Sequence, residues 1–148
     1  MADPLLDAAT DLAFAKLQRA GGDPRNLDGP FRTLAIVCAA QGVIDNGGLR
    51  YFFENNWPGQ PPYALFAQAY RSIGAAVLAQ AIEEAAAAFG FPHPERHEDR
   101  RDQCLLGEEG NRIAALDQRR EEDVWTLLAA YARAHRKALR KPWWRFWR

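Results

Sequence analysis

Asn46-Gly47-Gly48-Leu49-Arg50-Tyr51-Phe52-Phe53-Glu54-Asn55 is the stretch on which the fold turns. Ahead of it, Phe31, Leu34, Cys38 and Gln41 recur at helical spacing, with Ala35 and Val37 widening the stripe. Behind the glycines, Leu49, Phe52 and Phe53 stand at i, i+3 and i+4, again on one helical face. Two apolar helices therefore meet at an Asn-Gly-Gly corner. Glycine tolerates the left-handed conformation that closes a helix, and asparagine is the next best residue there. This places one helix from 28–30 to 45 or 46, positive φ at Gly47, and a short helix over 49–55. Asn46, Gly47, Gly48, Phe52, Phe53 and Asn55 make up a structural motif, with Phe52 and Phe53 expected in the core against the second and last helices.

Working outward, helical signals continue on both sides. Asp3 is placed to cap a first helix, Pro4 suits its first turn, and Gly21-Gly22 ends it. Leu5, Ala9, Leu12, Ala13 and Leu17 line one of its faces. Beyond the stiff connector 57–62, a helix is expected over 63–72 with Leu65, Phe66 and Ala69 inward. Another follows over 75–89, with Leu78, Ile82, Ala85 and Phe89 aligned. The charged stretch 95–110 reads as a short helix plus loop. A long last helix is expected over 121–140, striped by Val124, Leu128, Tyr131 and His135 and stopped by Pro142. No strand-like alternation or internal repeat interrupts this series. The fold class is all-α, a compact multi-helix single domain over 1–140, followed by a basic, Trp-rich C-terminal tail over 141–148.

The 148 residues are 48% apolar, enough for a real core and unlike a disordered chain. No apolar run is long enough to span a membrane and no secretory signal opens the chain, so a soluble, cytoplasmic location is expected. Cys38, inside an apolar run, reads as a buried thiol. The formal net charge is zero but unevenly spread. Residues 1–135 hold 13 basic and 19 acidic side chains, a net of −6, and residues 136–148 hold six basic and no acidic ones. An acidic body is thus joined to a basic end.

Catalytic patterns are weak. His93, His97 and Cys104 have ligand chemistry but no fourth partner, so no metal and no cofactor are expected. Ser72, the only serine, has no neighbouring histidine, and Cys38 lies where a thiolate is costly. The carboxylate pairs are adjacent in sequence and do not face one another on a helix. The chain is therefore read as non-enzymatic, with an enzyme assembled from distant residues as an open alternative. The acidic clusters Glu83-Glu84, Glu108-Glu109 and Glu121-Glu122-Asp123 are candidate protein-binding residues. Their bland reading is a solvated helix face, with the last three complementing the dipole in the first turn of the last helix.

Trp143, Trp144 and Trp147 stand among basic residues and are costly to leave in water. They are candidates for docking onto the acidic body, for meeting a partner protein, or for binding nucleic acid or an anionic membrane surface. Docking onto the body is expected to be marginal and displaceable, because the ordering entropy of the tail offsets the burial of its aromatics.

The motif 46–55 also resembles the "NGG-aromatic-x-Gln-Phe/Tyr-Phe-x-Asn" pattern of a bacterial domain family of unknown function that includes a DNA mimic protein. Leu49 and Tyr51 stand where the family favours an aromatic and a glutamine. The segment 69–75, the Leu116-Asp117 pair and the run Leu127-Leu128-Ala129-Ala130-Tyr131 agree with it in order, so the resemblance covers about 34–135. It implies an all-helical domain and, from the DNA mimic, an acidic surface that imitates DNA phosphates to occupy a helix-turn-helix-type transcription factor. The partner so implied is a transcription factor or another DNA-binding protein; a homodimer is a further possibility.

Overall fold

The computed structural model describes residues 3–117 and 122–139. Among them the chain forms seven α-helices and no strand: α1 (Pro4–Arg19), α2 (Gly29–Glu54), α3 (Tyr63–Ser72), α4 (Ala76–Ala88), α5 (Glu98–Leu106), α6 (Glu108–Asp117) and α7 (Val124–Ala134). Two short 3₁₀ turns, Pro24–Asn26 and Pro94–Arg96, bend the connections. α2 is the central element and packs against α1, α3, α5, α6 and α7; α3 and α4 form a hairpin, and α1 runs beside α7.

α1 begins as its sequence dictates: the Asp3 side chain accepts from the Leu6 amide and Pro4 fills the first turn. α2 buries the expected stripe of Leu34, Cys38 and Gln41, and it does not stop at Asn46. Asn46 and Gly47 stay helical, and only Gly48 leaves the helical region, with φ 75° and ψ −172°. The corner is real, but positive φ falls on Gly48 rather than Gly47. The reason lies 68 residues away. The Leu49 amide, freed by the break, donates to both carboxylate oxygens of Asp117 at 3.0 and 2.9 Å. The end of α6 thus caps the second half of α2. A Cβ on Gly48 would lie 2.5 Å from Asp117 Oδ2, and one on Gly47 would lie 2.6 Å from Tyr51 Cβ. One glycine supplies the dihedral and the other supplies room.

Phe52 and Phe53 are fully buried, as the i, i+3, i+4 pattern requires. Their ring contacts, edge-to-face or tilted, are with Tyr63 and Phe66 of α3, Phe89 after α4, and Trp57, and they share one core cluster with Leu128 and Ala132 of the last helix. The stiff connector brings Trp57 back over the corner, where its indole N–H donates to the Phe52 carbonyl at 3.2 Å. Asn55 closes α2, its amide donating to the Tyr51 carbonyl.

Two further expectations are corrected. The stretch 95–110 is not a helix plus loop; α5 ends at extended Gly107 and α6 begins at once, carrying Ile113 and Leu116 into the core. Gly110 permits the tight turn between them, since a Cβ there would lie 2.0 Å from the Leu105 carbonyl oxygen. The last helix is shorter than 121–140. It starts after Asp123, ends at Ala134 and continues as turns to the buried Leu139.

Candidate functional site

An open groove of about 1060 Å³ runs between α1 and α7. Along α1 it is edged by Asp3, Asp7 and Asp11, spaced four residues apart and so on one face, with about 6 Å of rise per step. Asp123 closes the other side, and its floor includes Leu6, Cys38 and Ala129. Phe14 and Trp125 are the large apolar side chains left in the open there, at 37% and 41% exposure.

The described lining holds four carboxylates against one cation, Arg133, which pairs with Asp3 at 3.0 Å. Asp123 accepts from the Thr126 amide and hydroxyl at the head of α7, and these bonds hold its carboxyl below the usual range. Asp7 and Asp11 have no hydrogen-bond or ion-pair partner among the described residues.

Trp125 is held in place from beneath. Its indole N–H donates to Asp45 Oδ2 at 2.8 Å, the other Asp45 oxygen accepts from Gln41 Nε2 at 2.7 Å, and Gln41 Oε1 accepts from the buried Tyr70 hydroxyl at 3.0 Å. A chain of hydrogen bonds therefore links an exposed aromatic ring to the core. A rigid, half-exposed tryptophan with its polar atom already satisfied is the kind of group that anchors protein interfaces.

The acidic residues singled out from sequence do not gather into one surface. Glu83 on α4 is paired with Arg71, and Glu84 accepts from Gln80. Glu108 and Glu109 head α6, where negative charge complements the helix dipole. Glu122 is not in the first turn of α7; its carboxylate accepts from the Val77 and Leu78 amides and caps α4. Asp123 precedes α7 as its cap and is the described member of that set lining the groove. Glu121, Trp143, Trp144 and Trp147 lie outside the described residues.

Sequence reading passed over Asp7, Asp11 and Trp125. Their signal was an i, i+4 acidic row on the side of α1 opposite its apolar stripe, which single-helix amphipathicity explains equally well.

Elsewhere, Arg101 is fully buried and donates to the carbonyls of Phe53 and Pro94 and to Asn56 Oδ1. It closes the C-terminal end of α2 as Asp117 caps its second half. Burial holds the nearby Tyr63 phenol above its usual range, against the opposing pull of the Arg101 charge. Burial likewise raises the Cys38 thiol, which lies 3.5 Å from the Thr10 hydroxyl. His93 pairs with Glu95 at 3.4 Å, and among the described residues no group of three or more His, Cys, Asp or Glu side chains is placed to hold a metal ion. No described helix is long and apolar enough to cross a membrane.

A family model described as DMP19-like protein matches residues 25–135, three quarters of the chain and more than the 34–135 suggested by motifs. No curated protein and no solved structure matches the chain.

Proposed function

The chain belongs to the DMP19-like protein family, and on that premise we propose that it is a non-enzymatic module whose α1/α7 groove receives the DNA-contacting surface of a DNA-binding protein. The observation that carries the reading is the row Asp3, Asp7, Asp11 beside the held, exposed ring of Trp125. Asp11 and Asp7 have no side-chain partner among the described residues, Asp7 serving the fold only through its place in the first turn of α1, and so both are available to cations of a partner.

Magnitudes decide what kind of mimicry this is. A DNA strand presents one charge per ~3.4 Å of axis. The α1 row presents one per ~6 Å of helix. The charge density is lower, so electrostatics alone give weak binding, as exposed ion pairs contribute only ~0–1 kcal/mol each. The apolar term must supply the rest; full burial of a large apolar side chain is worth roughly 1.5–3 kcal/mol, of which Trp125, 41% exposed, has less than half still to gain. The groove therefore suits a basic surface that also offers an aliphatic or planar side chain to stack, arginine above all, since its guanidinium does both.

The test uses DNA-binding proteins recovered from the cell of origin on duplex DNA. The full chain should retain one or more of them, release them when duplex DNA is added, and lose retention in the Asp7→Asn/Asp11→Asn and Trp125→Ala variants. A retained protein that binds this chain and its own DNA site at the same time contradicts the reading.

A further inference from the structure

A second, smaller cleft lies between the start of α2 and α3 and carries the opposite sign of charge. Its lining includes Gly29, Arg32 and Thr33 of α2 with Gln68 and Ser72 of α3, and it contains no carboxylate. Gly29 and Thr33 stand one turn apart and share a face of α2. A Cβ on Gly29 would meet nothing within 4 Å, so the first turn leaves room there.

Thr33 is the residue the fold does not explain. It is only 8% exposed, yet its hydroxyl has no hydrogen-bond partner among the described residues, not even the carbonyl one turn back that a helical threonine commonly uses. A buried polar group left so is costly. Side chains on a helix tilt toward its N-terminus, which directs this hydroxyl to the first turn and the cleft that Thr33 lines. That turn has donors to spare. Asp28 makes no side-chain cap, and the Gly29 and Phe31 amides have no partner among the described residues. α2 runs unbroken from here to Gly47, so the positive end of its dipole lies at the cleft.

Arg32 adds a full charge. Its guanidinium donates to the Leu27 and Arg25 carbonyls at 2.8 and 3.0 Å. Those partners are neutral, so the charge is held beside the first turn without being cancelled. Asp28, the adjacent acid, lines a different cleft, with Lys16 and Arg19. Size narrows the ligand further. The cleft holds about 140 Å³. At ~30 Å³ per water-sized group that is room for roughly four to five heavy atoms, below the ~300–1,000 Å³ of sites for larger organic ligands. Phosphate and sulfate are of that size.

We propose that this cleft binds a small tetrahedral oxyanion, free or as the phosphoryl end of a larger molecule. The anion accepts from the Thr33 hydroxyl and from the amides at the head of α2, and Arg32 supplies the countercharge. The site is separate from the α1/α7 groove and does not depend on how that groove is read.

Inorganic phosphate titrated into the ¹⁵N-labelled full chain, at constant ionic strength balanced with chloride, tests this. The Gly29, Phe31 and Thr33 amide resonances should shift and saturate. Thr33→Val keeps the shape and removes the hydroxyl; it should weaken binding about tenfold or more, the worth of a hydrogen bond to a charged group. Thr33→Ser should bind within about threefold of wild type, since it keeps that bond. The spectral dispersion of each variant reports that it is folded. Phenyl phosphate separates the two sources of the group: weaker binding than inorganic phosphate supports a free ion, and binding as tight or tighter supports a phosphorylated molecule. Shifts that never saturate mean that water alone fills the cleft and overturn the proposal. So do shifts that are largest at Lys16 and Arg19, and so does equal affinity in Thr33→Val. Equal losses in Thr33→Val and Thr33→Ser assign the effect to packing and also overturn it.

Discussion

At the Gly48 corner, charged side chains answer backbone groups: Asp117 holds the Leu49 amide, and Arg101 holds the carbonyls of Phe53 and Pro94. In the α1/α7 groove, Asp7 and Asp11 hold no hydrogen-bond or ion-pair partner among the described residues, and Trp125 is half-exposed with its indole N–H already satisfied. Both regions are rich in aromatics and carboxylates, so composition does not tell them apart. What separates them is whether the polar groups are already committed. A charge that caps a helix is part of the fold and cannot be lent to a partner without cost. A charge that caps nothing can be.

The contrast predicts that substitutions in the two regions move different measurements. Phe53→Ala should show the largest effect, a loss of ~3–5 kcal/mol, because it removes a buried ring packed edge-to-face against Phe52, Tyr63 and Phe89. Urea melts measure it, and a loss below about 1 kcal/mol would mean that the corner is not the core. Arg101→Leu comes next, at ~2–4 kcal/mol, since it strands carbonyls where water does not reach. A neutral outcome would place those carbonyls in contact with solvent.

Gly48→Ala should cost ~1–3 kcal/mol, from strain at φ 75° and from displacement of the Asp117 carboxylate. Combined with Asp117→Asn, the two losses should be less than additive, because each breaks the same cap. Strict additivity in the double-mutant cycle would separate the glycine from the aspartate.

In the groove the signs reverse. Asp7→Asn/Asp11→Asn should leave stability within ~0.5 kcal/mol while abolishing most retention of basic DNA-binding proteins. A stability loss as large as that at the corner would show these carboxylates to be structural, and the comparison would collapse. Asp123 lies between the two classes, being both a cap and part of the groove. Its carboxyl is held below the usual range in the folded state. Its contribution is therefore present above the unfolded value of 3.8 and is lost as pH falls through the lower folded value. Asp123→Asn, which can still cap, should make the acid limb of the stability curve slightly shallower and leave neutral pH unchanged. Identical acid limbs would assign the pH dependence to other groups.

Much of this architecture is legible in one dimension. The stripe Leu34, Cys38, Gln41, the pair Phe52 and Phe53, the Asp3-Pro4 start and the alanine-rich α4 are local patterns, and a helix needs only local information to be drawn. The motif at 46–55 likewise carried the family. The errors have a common cause. The choice between Gly47 and Gly48 depends on where Asp117 reaches, and sequence does not show a contact across 68 residues. Glu122 looked like a dipole partner of the last helix and caps α4 instead, because it stands in the connection before α7, where its carboxylate reaches the Val77 and Leu78 amides.

The candidate site was the least legible part for the same reason. Periodicity identifies which face of α1 turns away from its apolar stripe, but a solvated face and a docking face have the same pattern until a second helix lies beside it. Sequence by itself determined that the chain is helical, where most helices lie, and which rings must be buried, since those follow from spacing and the cost of wetting apolar surface. Only the tertiary structure decided which charges are spent on backbone amides and carbonyls and which remain, because orphaned helix ends are satisfied by whatever side chain folding happens to bring near them.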